Sequence, residues 1–274
     1  MNGLKLIMNK TLGLIGTGKW GQNYIKLCDK LNINLKIGDR LNYKDLIKSK
    51  SCQGIIIATP PDSHVNIAIE VLEYDIPVMI EKPLSFSYDE GCKLLKYKTN
   101  ILVNNLHLFS PAFEYIVNNA KNIKNIISIG CNKGPYRDYS SLFDYGPHDL
   151  SMGLYLCNKI PTINYVKKIN TNNAEQYNLN INYGNINHNI IVGNAGPNKK
   201  RLLKVITEEN NIFIYDDLKK DKLTFNDNIV KVSEVSTLEN SLFYFIKLLD
   251  GYIDDRFGVE LSLKYTKFLE SLAK

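Results

Sequence analysis

Three glycines near the start of the chain, Gly16, Gly18 and Gly21, have the spacing of a turn that binds a diphosphate. In such a turn the first glycine permits the tight bend, and the second leaves no side chain between the backbone and the anion. The third lets the following helix pack closely against the preceding strand. Unpaired N–H groups and the dipole at the helix N-terminus favour an anion. The motif therefore predicts a dinucleotide-binding turn, whose other residues are Thr17, Lys19 and Trp20.

An acidic residue follows this turn at the distance expected for a ribose contact. Asp39 stands at the predicted end of the second strand, roughly 20 residues after Gly18. A carboxylate there accepts hydrogen bonds from the ribose hydroxyls and repels a 2′-phosphate, so we predict NAD as the cofactor. Arg40, directly after it, leaves NADP as an open alternative.

The elements that would position these residues alternate between strand and helix over the first hundred residues. Strands are predicted at 11–15, 35–38, 54–58, 77–80 and 101–104. Helices are predicted at 20–31, 43–48, 63–72 and 88–96. This order is typical of a parallel sheet with helices on both faces.

The pattern changes in the second half of the chain. Residues 164–232 alternate with period two and carry turn signals, which indicates several antiparallel strands. Helices are predicted at 111–120, within 142–156, at 238–249 and at 261–272. We therefore predict an α/β fold with a Rossmann domain in residues 1–106. An α+β domain with an open antiparallel sheet would follow in residues 107–274, and its closing helices are free to pack back on the first domain.

Two short motifs follow neighbouring buried strands. The first is Ala58-Thr59-Pro60-Pro61-Asp62-Ser63-His64, and the second is Glu81-Lys82-Pro83. Together with the glycine turn they resemble the Gfo/Idh/MocA family (glucose–fructose oxidoreductase, inositol dehydrogenase and relatives). The resemblance implies that Lys82 is catalytic and that its following proline often takes a cis peptide. It also implies that the cofactor is lined by Thr59, Pro60, His64 and Glu81.

The segment 142–148 resembles a second family motif, D-x-G-x-H, and this implies that Asp144 and His148 face the substrate. Histidine titrates near neutral pH, so we expect His148 to be the general base or acid. Lys82 would hydrogen-bond the reacting oxygen, and Asp144 would bind a neighbouring hydroxyl or hold His148 in place. Residues at i and i+4 share a helix face. Pro147 opposes this, because proline breaks a helix interior; the helix either begins near Asp144 or kinks.

Other positions near this segment are less informative. The family often has an arginine where Leu108-Phe109 follow His107, and a second aspartate where Ser151 stands. Tyr136 and Arg137 are candidates for substrate contact, with simple packing as the alternative. His107 and His188 are predicted to be structural or solvent-exposed.

The composition limits the class of protein. The chain has 274 residues, 44% of them hydrophobic and 23% charged, with a formal net charge of +6. The excess is scattered, and no apolar run reaches the ~18 residues of a membrane span, so neither a nucleic-acid nor a membrane partner is predicted. Five cysteines without a C-x-x-C pair predict no metal site and reduced thiols in a cytoplasmic protein.

These features favour a hydride-transferring enzyme that uses NAD(P) and acts on a secondary alcohol or ketone of a sugar, cyclitol or nucleotide-sugar. One alternative is a reductase of another class on the same fold, acting on a bilin or an amino acid. Another is a dinucleotide-binding regulator without activity. The uncovered face of the second sheet predicts a homo-oligomer.

Overall fold

The computed structural model describes residues 10–171 and 173–273, apart from the side chain of Asp255. The chain divides into two compact units. Unit 1 comprises the residues up to Asn105 together with Leu238–Leu272, and unit 2 comprises Leu106–Thr237. The two closing helices therefore belong to the same unit as the first sheet.

Unit 1 is built on a five-stranded sheet in the order β2-β1-β3-β4-β5, and every strand pair in it is parallel. The strands are β1 Thr11–Ile15, β2 Asn34–Gly38, β3 Gly54–Ile57, β4 Val78–Glu81 and β5 Ile101–Asn104. The helices are α1 Lys19–Lys30, α2 Tyr43–Lys48, α3 His64–Leu72 and α4 Tyr88–Cys92. The Rossmann arrangement expected from the alternating pattern is confirmed.

The central strands of this sheet are apolar because they are covered on both faces. All four residues of β3 are buried, as are all four of β4 and of β5. A Cβ added to Gly54 would lie 2.7 Å from the Leu249 side chain and 2.8 Å from that of Phe245. Both belong to α7 (Thr237–Leu249), so this helix packs directly on the start of β3.

Unit 2 is built on an eight-stranded sheet in the order β13-β12-β11-β10-β6-β9-β8-β7. The strands are β6 Ile123–Lys133, β7 Thr162–Thr171, β8 Ala174–Tyr183, β9 Ile186–Gly193, β10 Ala195–Thr207, β11 Ile212–Asp216, β12 Leu223–Phe225 and β13 Asn228–Ile229. The remaining helices are α5 Pro111–Asn119, α6 Ser141–Cys157 and α8 Val259–Ala273, the last of which belongs to unit 1.

The predicted second sheet is confirmed, and it is mostly antiparallel. It differs from the prediction in containing a further strand, β6, and in having one parallel strand pair. Strand β6 was not among the predicted strands, although its central residues alternate between buried and half-buried. It pairs parallel with β9 and antiparallel with β10. A strand at the centre of the sheet therefore carries one parallel pair in an otherwise antiparallel arrangement.

Helix α6 carries the predicted Asp144 and His148 and passes through Pro147. It begins at Ser141, where the Ser140 hydroxyl accepts a hydrogen bond from the Leu142 N–H at 3.2 Å. Pro147 lies inside the helix and has no N–H to give to the carbonyl four residues before it. Thirteen of the seventeen residues of α6 are buried, and packing on the sheet therefore compensates for the lost bond.

One face of this sheet is polar. Side-chain amides of Asn164, Asn180, Asn187 and Asn189 form hydrogen bonds of 2.7–3.2 Å across β7, β8 and β9. Nine of the ten residues of β7 are exposed.

All five cysteines are free thiols. In residues 10–171 and 173–273, no helix has the length and apolar character needed to cross a membrane.

Candidate active site

The glycine turn joins β1 to α1. Each of its three glycines is required for a different reason. Gly16 has φ +100°, and a Cβ added to it would lie 2.7 Å from the Ala58 carbonyl. This turn therefore packs against the end of β3, and a side chain there would be strained as well as crowded. A Cβ on Gly21 would collide with the carbonyl of Gly16.

Gly18 differs from its two neighbours because it faces open space. A Cβ added to it would meet nothing within 4 Å. Gly18 is also the N-cap of α1 and offers no side-chain cap. The first-turn N–H groups of this twelve-residue helix are thus left to an anion, as a dinucleotide diphosphate requires. Thr17 and Lys19 are exposed beside them, and Trp20 is half-buried.

Asp39 lies directly after β2, as predicted, and its carboxylate shapes the following turn. Its Oδ1 accepts hydrogen bonds from the N–H groups of Leu41 at 2.7 Å and Asn42 at 3.0 Å. The side chains of Asp39 and Arg40 are both exposed. These two hydrogen bonds use Oδ1, and a ribose contact would fall to Oδ2.

His64 links the two motif loops of unit 1. Its Nδ1 lies 2.9 Å from the Pro83 carbonyl, and its Nε2 lies 2.9 Å from the Thr59 carbonyl. Burial lowers the pKa of His64, although both carbonyls act in the opposite direction. Pro60 is exposed at the start of the loop. His64 therefore holds the Thr59 turn against the Lys82–Pro83 peptide, which is cis as the resemblance implied.

Glu81 is buried and points to a polar cluster inside unit 1. Its Oε1 accepts hydrogen bonds from Tyr24 Oη at 2.7 Å and from Asn104 Nδ2 at 2.7 Å. Asn104 is also its register partner on β5. Burial raises the pKa of Glu81, while Tyr24, Asn104 and the Lys82 charge oppose the rise. The cluster connects α1, which begins in the glycine turn, to β4, which ends directly before Lys82.

Lys82 is half-buried and directly follows β4. Its positive charge is one of the influences that lower the pKa of His64, after burial. Both strand-end motifs therefore meet at the carboxyl edge of the sheet, which is where open parallel sheets bind their ligands.

The predicted residues of unit 2 occupy two environments. Asp144 is half-buried and accepts a hydrogen bond at 3.2 Å from Nε of Arg137, with which it forms an ion pair. Arg137 and Tyr136 are both exposed in the segment before α6. His148 is 8% exposed, and its ring lies edge-on to that of His107 with centroids 4.9 Å apart. Asp144 and His148 thus lie on one helix, each with its own partner.

The sequence did not predict that His107 lies beside His148. It is 5% exposed, and its Nδ1 lies 3.0 Å from Tyr215 Oη. His188 is fully buried. The solvent-exposed alternative expected for these two histidines is therefore wrong, because both are enclosed by the second sheet and its helix.

A buried ion pair next to His148 was also missing from the predicted site. Asp149 is fully buried, and its Oδ2 accepts a hydrogen bond from Arg201 Nη1 at 3.1 Å. Burial raises the pKa of Asp149 to about 6, against the lowering effect of Arg201 and Ser128. Ser128 Oγ also lies 2.9 Å from Nε2 of His188, whose pKa is lowered by burial to about 3. No local sequence signal marks this group, because its members come from four different elements.

Comparison with known proteins agrees with this geometry. Residues 26–100 match the model of an oxidoreductase family with an NAD-binding Rossmann fold, GFO_IDH_MocA. The matched residues all lie within unit 1. The match includes the Glu81-Lys82-Pro83 motif and so agrees with the resemblance drawn from it, while the glycine turn precedes the matched residues.

The curated proteins that this chain resembles are distant from it in sequence. The rhizopine catabolism protein MocA of Rhizobium meliloti is 21% identical over 184 residues, which cover 55% of this chain and 58% of that protein. An inositol 2-dehydrogenase of Rubrobacter xylanophilus is 33% identical over 57 residues, covering 21% of this chain and 16% of that protein. The chain thus spans less than two thirds of the length of these relatives.

The fold likeness covers nearly the whole chain. The crystal structure of a putative oxidoreductase from Magnetospirillum magnetotacticum has a TM-score of 0.82 at 23% identity, covering 95% of this chain and 98% of that one. At this identity the likeness concerns the fold alone, and it includes unit 2 as well as unit 1.

Proposed function

We propose that this chain is an NAD(P)-dependent oxidoreductase that moves a hydride between the nicotinamide and a secondary alcohol or ketone of a sugar, cyclitol or nucleotide-sugar. Unit 1 binds the cofactor in this proposal, and unit 2 binds the substrate. The observation that carries the proposal is the uncapped α1 N-terminus at Gly18 in the same unit as Lys82.

The residues present fit a dinucleotide. The empty space at the Gly18 Cβ position would admit a diphosphate against the backbone, and the exposed Asp39 stands where a ribose would lie. The negative charge of Asp39 favours NAD over NADP, and the adjacent Arg40 works in the opposite direction. NAD is therefore the proposed cofactor. When bound, it supplies the hydride chemistry.

In this proposal the protein's own side chains transfer the hydroxyl proton and stabilise the reacting oxygen of the substrate. In the oxidative direction His148 takes the hydroxyl proton, and in reverse it returns a proton to the carbonyl oxygen. Lys82 donates a hydrogen bond to that oxygen and stabilises its developing negative charge. Asp144, held by Arg137, accepts a hydrogen bond from a neighbouring hydroxyl of the substrate. Arg137 and Tyr136 contribute substrate contacts from the segment before α6.

A cyclitol or sugar is favoured by the chemistry of these groups and by the relatives. Donors and acceptors such as Lys82, Asp144 and Arg137 suit a molecule that carries several adjacent hydroxyls. One of the relatives is an inositol 2-dehydrogenase, and inositol is a cyclitol. The substrate screen should therefore begin with inositols and continue with sugars and nucleotide-sugars.

The test combines turnover with cofactor binding. Turnover is followed by the absorbance of reduced nicotinamide, and binding is followed by the fluorescence of Trp20, the one tryptophan of the chain, which lies in the glycine turn. Lys82→Ala is expected to lower kcat by about 10²–10³-fold while the Kd for NADH changes less than threefold. The matched control is Lys96→Ala, because Lys96 is an exposed lysine in the same unit. Retained turnover in Lys82→Ala refutes the assignment.

We also propose that the chain forms a homo-oligomer through the open face of the second sheet. Exposed apolar side chains on its edge strand support this, namely Ile163, Tyr165 and Val166 at 45%, 55% and 37% exposure. Burying this strand and the asparagine network in a second copy would remove an unprotected sheet edge. Sedimentation velocity tests the proposal, and a monomer mass at all concentrations refutes it.

A further inference from the structure

A line of polar side chains begins at His148 and runs away from it within unit 2. His148 meets His107 edge-on at 4.9 Å, and His107 Nδ1 lies 3.0 Å from Tyr215 Oη. Tyr215 Oη in turn donates to Asp217 Oδ1 at 3.2 Å, and Lys222 Nζ lies 2.6 Å from the same oxygen. Tyr215 is 1% exposed, so its hydroxyl is shielded from bulk solvent.

The direction of the hydrogen bonds in this line follows from the charge at its far end. Burial raises the pKa of Asp217, but the His107 charge, Lys222 and Tyr215 together lower it below the ordinary value. Asp217 is therefore a carboxylate, which only accepts hydrogen bonds. Tyr215 has a single proton and donates it to Asp217, so its oxygen must accept from His107. His107 then carries its proton on Nδ1, and its Nε2 is left with the lone pair when the ring is neutral.

We infer that His107 is a positioning residue for His148, held in its Nδ1–H tautomer by Tyr215 and Asp217. A ring with a fixed tautomer and orientation gives His148 a constant polar neighbour on one side. Without Tyr215, His107 would exchange between tautomers, and His148 would face two different electrostatic environments. The inference rests on the proposed function, because it assigns His148 the proton transfer.

Other charged groups act on the same line and must be considered with it. Burial and the Asp217 charge raise the pKa of Tyr215, and the charge of Arg201 on β10 lowers it. Lys222 pairs with Asp217, and Asp149 stands next to His148 on α6. Arg201 is itself paired with Asp149, and Lys222 with Asp217, so each cation near the line has its own carboxylate.

The decisive measurement does not depend on turnover. The chain contains four histidines, so ¹⁵N-labelled protein gives few imidazole signals, each assignable by substitution. The nitrogen shifts of His107 should report a proton on Nδ1 in the unmodified protein. In Tyr215→Phe and in Asp217→Asn they should report a mixture or the Nε2–H form. Tyr177→Phe is the matched control, because its buried hydroxyl contacts Ser140 instead, and His107 should stay unchanged in it.

The kinetic measurement separates positioning from general stability. Tyr215→Phe should lower kcat about ten- to a hundredfold, as expected when a general base is badly oriented, and should shift the pH profile of kcat/KM. The KM should change little. His107→Asn should retain more activity than His107→Ala, because the asparagine amide can still donate to Tyr215 from nearly the position of Nδ1. The control Tyr177→Phe should leave the pH profile in place.

Each outcome decides the inference. An Nε2–H tautomer of His107 in the unmodified protein overturns it. So does a Tyr215→Phe protein that keeps both the His107 signals and the pH profile. If Tyr215→Phe does not fold, Asp217→Asn answers the same two questions. If no substrate is turned over by any variant, the proposed function fails while the tautomer measurement still tests the line of hydrogen bonds.

Discussion

Replacing Arg201 by methionine would leave the Asp149 carboxylate buried without its cation. The two side chains lie 3.1 Å apart at Nη1 and Oδ2, with exposures of 12% and 0%. A Cβ added to Gly130 would lie 2.6 Å from Asp149 Oδ2, which shows how tightly strand β6 encloses the pair. Methionine keeps much of the length and apolar bulk of the arginine stem, so the substitution removes mainly the charge and its hydrogen bonds.

The magnitude follows from the pKa of Asp149. Even with Arg201 in place, this pKa is raised from 3.8 to about 6. At about 1.4 kcal/mol per pH unit, ionisation of the buried carboxylate already costs the folded state about 3 kcal/mol above pH 6. Removing one partner of a buried ion pair costs about 3–5 kcal/mol. We therefore expect Arg201→Met to lose about 3–5 kcal/mol of unfolding free energy at pH 7.5.

The loss should depend on pH with a definite sign. The folded-state pKa of Asp149 lies above the unfolded one, so this group stabilises the fold at low pH and loses that contribution as pH rises through 4 to 6. In Arg201→Met the pKa rises further, because the lowering effect of the guanidinium is gone. The difference between the two proteins should therefore shrink as the pH falls from 7.5 towards 6, by up to about 1.4 kcal/mol per unit, and should change little below pH 6, where Asp149 is protonated in both folded proteins.

Urea unfolding followed by circular dichroism at pH 5, 6 and 7.5 measures both effects. Lys199→Met is the matched control, because Lys199 is an exposed cation on the same strand. The double variant Asp149→Asn, Arg201→Met should recover most of the loss, since both charges are then removed. A loss below about 1 kcal/mol in Arg201→Met, or a loss that does not change with pH, would refute this reasoning.

Three further predictions concern other parts of the chain. Burial holds the pKa of His188 at about 3, so His188→Gln should flatten the fall in unfolding free energy, about 1.4 kcal/mol per unit, as pH drops from 6.5 to 4; urea titration at three pH values checks this. Tyr24→Phe removes one donor from buried Glu81 and should cost about 1–3 kcal/mol of thermal stability, measured by calorimetry. Asp39→Asn keeps acceptors for the turn but removes the charge, so the ratio of the Kd values for NADP and NAD should fall about tenfold, measured by Trp20 fluorescence.

The parts of unit 1 that the sequence predicted are those whose role depends on the backbone. Gly16 and Gly21 are required by contacts with main-chain atoms next to them in the fold, and such contacts leave a fixed spacing in the sequence. The buried run of β3 is likewise visible because both of its faces are covered. The proposed roles of Lys82 and His148 rest only on the resemblance to the family motifs, since a single lysine or histidine carries no positional signal.

The side-chain clusters could not be predicted, because their partners are far apart in the chain. His107 and Tyr215 are 108 residues apart, and Asp149 and Arg201 are 52 residues apart. Only the eight-stranded sheet, with its central β6, brings these elements together. Because β6 itself was not predicted, the strand register that places Ser128 between Asp149 and His188 could not be predicted either.

The four histidines of the chain divide by environment, and this division narrows the choice of a general base. Burial lowers the pKa of His64, and it lowers that of His188 to about 3. Both are therefore neutral at pH 7 and poor proton acceptors, which leaves His107 and His148. Their ring centroids are 4.9 Å apart, and two imidazolium cations at that distance repel one another. The pair therefore takes up its first proton more readily than its second. The pH profile of kcat/KM should then report a macroscopic value for the pair rather than for either ring, and substitutions at Asp217 should move that value even though Asp217 is separated from His148 by two side chains.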